Sequence, residues 1–291
     1  MSIQRVSSKW AKTIAMVPNP KLIPYIPDTR LYSRENLKEM LEAYKIVYVK
    51  PDSGTYGRGV MRAETPYESP LTLGNNASIP DSPYCLRFGT SRSIYESLDE
   101  LHEAIMSHIA RRTFIVQRGI QLLNYQGRPF DLRVLTQKNL QGQWETTGFI
   151  GRVAAAGKVI TNYHSGGTIA EFQALLSGHS GRQEAAQLER RLALLGERTG
   201  RQLEKNYPRL KEIGLDIAVD ERLHPWILEV NTLPSLYVFG KLSDKNIYKR
   251  IRKYAVAYGR IPAKSTSAPV KKSAPRTKSR PSTVWKKKAS S

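Results

Sequence analysis

The sequence has 291 residues, of which 40% are hydrophobic and 24% charged, and its formal net charge is +21. This composition is typical of an ordinary globular protein with one or two core-forming units. The single cysteine, Cys85, excludes a disulfide framework and a Cys/His zinc cluster. No apolar run reaches the roughly eighteen residues that a membrane span needs. A reducing, cytoplasmic setting is the expectation.

Hydrophobic spacing in the first half predicts helices that alternate with short strands. Residues 33–44 carry Leu37, Met40 and Leu41 at helical offsets behind Ser33, a natural N-cap, so an amphipathic helix is predicted there. The apolar run 46–49 then predicts a strand, which places Lys50 at a strand end. A second helix is predicted over 97–112 and another strand over 113–117.

The second half indicates a block of strands around one long helix. Strands are predicted over 131–137, 144–154, 158–161, 214–220 and 225–231. Leucine spacing predicts a long helix over 181–206. Helices and strands in this order favour an α+β fold with two lobes, and a ligand would lie in the cleft between them.

The carboxyl-terminal segment is strongly basic, because no acidic residue follows Asp244. From Arg260 onward, Lys and Arg are mixed with Pro, Ser, Thr and Ala, a composition that cannot bury enough apolar area to offset the entropy of ordering. The tail is either a solubilising end or an arm that contacts nucleic acid or another polyanion. The predicted organisation is a lead-in over 1–30, a small lobe over 31–117, a large lobe over 118–245 and a basic, disordered tail over 246–291.

A glycine-rich segment, VKPDSGTYGRGV, spans residues 49–60. Its glycines, Gly54, Gly57 and Gly59, could simply permit positive φ in a hairpin connection. Alternatively, Lys50 and backbone amides beside it could contact the oxygens of a polyphosphate. No Gly-Lys-Ser/Thr follows, so the segment is not a Walker A loop.

Three oxygen-bearing residues fall on two neighbouring predicted strands. Asp216 lies on the first strand, while Glu229 and Asn231 occupy alternate positions on the second and therefore share one face. Leu228 and Val230, between and beside them, are expected to turn into the core. Carboxylate and amide oxygens suit Mg²⁺. A solvated sheet face would give the same polar alternation, so both interpretations remain.

Nine short motifs, in order along residues 7–240, resemble the ATP-grasp superfamily and, within it, the YheC/YheD group described as endospore coat-associated. The motifs are SKW, IPDT, VKPDSGTYGRGV, VQRGI, FDLRVL, GRVA, TNYHSGGT, GLDI and LEVNTLPS. The resemblance implies an ATP-grasp fold that binds ATP with one or two Mg²⁺ or Mn²⁺ ions. It also implies carboxylate–amine ligation through an acyl phosphate.

The resemblance implies a nucleotide site built from several segments. The residues implied to contact the nucleotide are Lys9, Lys50, Ser53, Gly54, Gly57, Gly59, Gln117, Arg118, Gly119, Ile120, Asp131 and Asn162. The two lysines would contact phosphates beneath a flap formed by the loop from Ser53 to Gly59. Main-chain groups of residues 117–120 would bind the adenine edge, and Asp131 would accept from the ribose hydroxyls. Asn162 would be an amide on the phosphate or metal side.

The resemblance also implies the catalytic and metal residues. Lys50, Arg133 and Arg152 would be catalytic, with Arg152 steadying the transferred phosphoryl group. The metal ligands would be Asp216, Glu229 and Asn231. For Arg133, a purely structural ion pair with Asp131 is an equal alternative.

Two functions are favoured by these features, ahead of nucleic-acid binding as the main function, which rests on charge alone. The first is a carboxylate–amine ligase whose carboxylate and amine acceptors are unknown. The second is a catalytically silent ATP-grasp scaffold in a spore coat or other surface assembly, with the basic tail binding a polyanion. Many ATP-grasp relatives carry a further domain before the first lysine, so a protein partner that supplies the acceptor-binding surface is a related expectation.

Overall fold

The computed structural model describes residues 2–54, 57–65, 84–109, 111–155 and 167–262. The helices in these ranges are α1 (Lys9–Met16), α2 (Arg34–Tyr44), α3 (Leu98–Ile109), α4 (Phe172–Leu176), α5 (Arg182–Asn206) and α6 (Lys245–Ala257). Short 3-10 helices lie at Ile23–Tyr25 and Tyr237–Lys241. None of the described helices is both long enough and apolar enough to cross a bilayer.

The first sheet belongs to the predicted small lobe. Its strands are β1 (Thr29–Leu31), β2 (Ile46–Pro51), β3 (Met61–Glu64), β4 (Tyr84–Phe88), β5 (Ser91–Tyr95) and β6 (Phe114–Arg118). They pair antiparallel in the order β1-β6-β2-β3-β4-β5. Apolar residues from α2, α3 and these strands form one hydrophobic core, which includes Leu37, Val49 and Ile105.

The second sheet belongs to the predicted large lobe. Its strands are β7 (Asn124–Tyr125), β8 (Arg128–Lys138), β9 (Trp144–Val153), β10 (Thr168–Ala170), β11 (Glu212–Val219) and β12 (Pro225–Asn231). The order is β10-β9-β8-β11-β12, with β7 paired to β8 and every pairing antiparallel. The long helix α5 buries its leucine stripe against this sheet. The mixed helix and antiparallel-sheet content confirms the α+β prediction, while the predicted strand 158–161 lies outside the described residues.

The amino-terminal segment is part of the large-lobe core. Ala15 and Met16 of α1 and the following Leu22 are buried in the same cluster as the α5 leucines. The amide of Gln202 in α5 also donates to the carbonyl of Ala15 over 2.9 Å. The sequence prediction of a separate lead-in over 1–30 therefore understated this packing, which fixes α1 against the second sheet.

The predicted boundary of the tail was too early. Residues 245–257 form α6, whose Ile251 and Ala255 are fully buried in a cluster with Phe239. The amphipathic stripe inside a basic helix provides the apolar burial that composition alone did not reveal. Residues 263–291 lie outside the described residues.

A β-bulge shifts the strand that carries Glu229. Asp216 pairs with Glu229 across β11 and β12, but the next pair is Ile217 with Ile227, so Leu228 is the extra residue. A bulge interrupts the alternation of faces and redirects a side chain. Val230 is buried as predicted, whereas the expectation that Leu228 turns into the core is wrong, since it lines the cavity described next.

Candidate functional site

One cavity of about 350 Å³ lies between the two sheets. Its walls come from β2 and the glycine-rich loop on one side, and from β8, β9, β11 and β12 on the other. The predicted site residues that line it are Lys9, Lys50, Gly54, Gly57, Arg118, Ile120, Asp131, Arg133, Arg152, Asp216, Glu229 and Asn231. Ser53, Gly59, Gln117 and Gly119 do not line it, and Asn162 lies outside the described residues.

Two lysines form the cationic side of the cavity. The Nζ of Lys50, near the end of β2, donates to the side-chain oxygen of Gln117 over 2.6 Å and lies over the Tyr48 ring. The Nζ of Lys9, at the start of α1, donates to the carbonyl oxygens of Pro51 and Gly54. Lys9 thereby holds the first part of the glycine-rich loop beside Lys50.

Burial makes it harder for Lys50 to carry its positive charge. Desolvation is the main cause that lowers the pKa of Lys50 to about 8, with a further contribution from the positive charge of Lys9, while Glu229 opposes the shift. Because a lysine that is costly to charge is stabilised by an anion placed next to it, this wall favours an anionic ligand.

The acidic side carries a continuous ion-pair network. Arg152 on β9 binds Asp131 on β8 through two hydrogen bonds of 2.7 and 2.6 Å, and its Nη2 lies 3.0 Å from Asp216. Arg133 donates from Nε to the other oxygen of Asp216. The expected alternative pair of Arg133 with Asp131 is wrong. Arg133 stands directly opposite Asp216 in the register, and direct cross-strand neighbours are closer than residues i and i+2.

The guanidinium groups determine the charge state of this network. Burial alone would raise the pKa of Asp216, but Arg133 and Arg152 outweigh it and hold that pKa below its ordinary value. Burial likewise opposes charging of Arg152, but Asp131 and Asp216 prevail and raise the pKa of Arg152. The network therefore holds fixed charges in a nearly closed environment.

The predicted metal ligands come together at the end of this network. Glu229 is the register partner of Asp216, and the amide of Asn231 donates to Asp216 over 3.4 Å. Glu229 also faces Lys9, with Nζ and Oε1 3.7 Å apart. In the described ranges, no group of three or more His, Cys, Asp or Glu side chains is placed to hold a metal ion. The set of two carboxylates and one amide thus stays a prediction.

The glycine-rich loop is a hairpin connection, as one of the two sequence interpretations predicts. It joins the paired strands β2 and β3, and Gly54, Gly57 and Gly59 all have positive φ, at 144°, 67° and 76°. Glycine adopts these φ values freely, whereas any other residue would adopt them only with backbone strain. Gly54 and Gly57 also line the cavity, so the hairpin connection faces it, and contact of this loop with a polyphosphate stays a prediction.

Residues 117–119 support the cavity from behind. The Gln117 amide donates to Thr29 and to the Leu228 carbonyl, which ties the first sheet to β12. The Gly119 amide donates to the Ile46 carbonyl, and a Cβ at Gly119 would lie 2.5 Å from Ile46 Cγ2. Glycine is required here by the close approach of two chains.

Three features of this region were not found by sequence reasoning. Lys12 is buried behind Lys9, and desolvation lowers the pKa of Lys12 to about 8. Ser235 lines the cavity, while its hydroxyl oxygen is buried and has no hydrogen-bond partner among the described residues. Tyr237 lines the same wall while half exposed. Their only sequence signal was proximity to the SKW and LEVNTLPS motifs.

Two curated proteins of Bacillus subtilis (strain 168) are similar to this chain. Endospore coat-associated protein YheD is 26% identical over 234 residues, which are 80% of this chain and 49% of that protein. Endospore coat-associated protein YheC is 23% identical over 227 residues, 78% of this chain and 59% of that protein. The chain thus spans about half to three-fifths of the length of these relatives.

One solved structure and one family model match most of this chain. The crystal structure of the D-cycloserine synthetase DcsG superposes with a TM-score of 0.48 at 12% identity, covering 84% of this chain and 69% of that one. A family model described as YheC/D-like ATP-grasp matches residues 3–261, which contain both sheets and every wall of the cavity. On that match, the chain belongs to the YheC/D-like ATP-grasp family.

Proposed function

We propose that the cavity binds ATP and that the protein is a carboxylate–amine ligase. The observation that carries the proposal is the pairing of Lys9 and Lys50 on one wall with Asp216, Glu229 and Asn231 on the other. ATP-grasp proteins generally bind ATP with Mg²⁺, and the presence of both sets of residues along this cavity supports the proposal.

The lysines account for the binding of the phosphates. A polyphosphate beside Lys50 would restore the charged state that burial disfavours, and Lys9 would add a second cation 3.7 Å from Glu229. Positioning and charge neutralisation are the main requirements of phosphoryl transfer. In the proposed reaction, the carboxylate of one substrate attacks the terminal phosphorus and ADP leaves. The amine then attacks the acyl phosphate and displaces phosphate.

The chemistry of the donor set fits a hard divalent cation. Asp216, Glu229 and Asn231 offer only oxygen ligands from one strand pair, as Mg²⁺ prefers. When bound there, Mg²⁺ would neutralise phosphate charge. The chain's own residues would do the rest: Arg152 and Arg133 would hold Asp216 in its ionised form and offer donors to the transferred group. Asp131 would orient Arg152, and its role toward ribose hydroxyls competes with that ion pair.

The acceptor would lie beyond Asn231. There, Leu233, Ser235 and Tyr237 line the cavity in the segment that follows β12. Pro234 anchors this segment, because a Cβ on the facing Gly214 would lie 2.8 Å from the Pro234 ring. Ser235 would hydrogen-bond an acceptor only if its buried, unpartnered hydroxyl turned toward the cavity.

The first test is calorimetric titration of ATP with Mg²⁺ into wild-type protein and Glu229→Gln. Loss of one carboxylate charge at the site should weaken binding by about tenfold or more. Glu221→Gln is the matched control, because Glu221 lies on the β11–β12 connection and its partner Gln121 is exposed. Unchanged ATP affinity in Glu229→Gln would refute the assignment of the site.

Turnover is tested separately by ADP release with panels of carboxylic acids and amines. ADP release that requires both an acid and an amine supports the ligase. ATP binding without release under any acceptor pair supports the second candidate, a silent scaffold. A specific observation favours that candidate: both Asp216 oxygens have guanidinium partners within the protein itself. Spore-coat association would follow the names of the YheD and YheC relatives.

A further inference from the structure

A cation between two aromatic rings joins the lobes at one end of the cavity. The Cζ of Arg118, at the end of β6, lies 5.0 Å from the centre of the Tyr44 ring and 4.8 Å from that of Trp226. Tyr44 ends α2 in the small lobe, whereas Trp226 begins β12 in the large lobe. Arg118 also lines the cavity.

The stack is braced on both sides. The Trp226 indole donates to Asp220 over 2.9 Å, and its ring meets the edge of His224 at 4.7 Å. On the other side, the Tyr44 hydroxyl donates to Asp28, whose carbonyl accepts from the backbone N–H of Arg118. Both rings are therefore fixed before any ligand arrives.

The hydrogen-bond donors of the Arg118 guanidinium are unused within the described part of the chain. No described side chain or carbonyl accepts from them, and both contacts made by the group are to ring faces. A guanidinium carries five N–H donors around its edge, and stacking leaves that edge free. A held cation with free donors at a cavity wall is ready for a ligand that carries hydrogen-bond acceptors.

The strand register places this stack away from the phosphate-binding lysine. Arg118 is opposite Val47 in β2, and Lys50 lies three residues further along the same strand, about 10 Å at the usual strand rise. On β12, Trp226 likewise precedes Glu229 by three residues. Both walls thus put the stack at one end and the lysine and carboxylates at the other.

We propose that the Arg118 side chain is a nucleoside contact: held by Tyr44 and Trp226, its edge N–H groups donate to acceptor atoms of the base or ribose. The inference rests on the proposed ATP site. The inference gives the Arg118 side chain a role distinct from that of the Arg118 main chain. Tyr44 and Trp226 would then be positioning residues that act through the Arg118 side chain.

The test separates the two ends of the ligand by titrating ATP and inorganic tripolyphosphate into the same variants. Arg118→Met should weaken ATP by about tenfold or more, since it removes a charged donor, yet change tripolyphosphate affinity by less than about twofold. Lys50→Met should lower the affinity for ATP and the affinity for tripolyphosphate. Trp226→Phe keeps a ring but loses the hydrogen bond to Asp220, so it should weaken ATP binding less than Trp226→Leu does, whereas Trp226→Leu should follow Arg118→Met.

Lys138→Met is the matched control. Lys138 makes the same kind of cation–ring contact with Trp144, at 4.9 Å, and neither residue lines the cavity. Lys138→Met should leave the affinities for ATP and tripolyphosphate unchanged, even if it changes the melting temperature. Wild-type ATP affinity in Arg118→Met, or equal losses for ATP and tripolyphosphate, would overturn the inference while the ATP site stands. Failure of the wild-type protein to bind ATP would overturn both.

Discussion

Raising the pH should weaken ATP binding because it discharges Lys50. The pKa of this lysine is lowered from 10.5 to about 8, chiefly by desolvation, and a bound polyphosphate would raise it again. If the complex keeps the proton throughout, proton linkage makes ATP binding about 25-fold weaker at about pH 9.5 than at about pH 7.5. In this interval a terminal phosphate is already fully ionised, so the ligand adds little to the change.

Stability should change in the opposite direction, which distinguishes discharge from unfolding. The folded pKa is below the unfolded one, so the unfolded chain binds more protons between about pH 8 and 10.5. The contribution of Lys50 to the free energy of unfolding therefore rises with pH over that window. Lys12, whose pKa is also lowered to about 8, adds to stability in the same direction.

The assay is ATP titration across this pH range on wild-type protein, Lys50→Arg and Lys12→Met. Arginine stays charged throughout, so Lys50→Arg should bind with little dependence on pH. Lys12→Met should retain the wild-type decline, because Lys12 does not line the cavity. A decline of equal slope in Lys50→Arg would refute the reasoning.

Two glycine substitutions should distinguish a residue that supports the cavity, Gly119, from a residue of the large-lobe core, Gly200. Gly119→Ala puts a Cβ 2.8 Å from the Ile46 carbonyl oxygen, so the chain must shift; we expect a loss of about 1–3 kcal/mol in urea unfolding together with weaker ATP binding. Gly200→Ala puts a Cβ 2.5 Å from the Trp144 ring, and overpacking of about 1–3 kcal/mol should exceed the roughly 1 kcal/mol gain in helix propensity. Its ATP affinity should stay at the wild-type value, and a loss there would contradict the separation.

The elements that the sequence predicts well are those whose signal is local. The stripe of Leu37, Met40 and Leu41 and the Ser33 cap specify α2, which begins and ends within one residue of the prediction. The apolar run before Lys50 specifies β2 for the same reason, because every second side chain along this strand is buried. These patterns depend on a single face of a single element.

Two further features that sequence reasoning missed depend on pairing between strands. The bulge at Leu228 follows from how β12 aligns with β11, and no residue within β12 announces it. The ion pairs of Arg152 with Asp131 and of Arg133 with Asp216 likewise follow from strand register. Register involves residues far apart in the chain, so a local pattern cannot determine it.

The ion-pair network gives a physical reason for nucleotide and cation to bind together. A phosphate that drew Arg133 and Arg152 toward itself would weaken their ion pairs with Asp216 and Asp131, which would leave a buried carboxylate less well compensated. A divalent cation at Asp216 could then replace part of the positive charge that the arginines supply to this carboxylate. Each ligand would thereby lower the cost of binding the other, and the coupling would be equal in both directions. A scaffold that uses the network only for stability has no such coupling, because its arginines never leave their carboxylates.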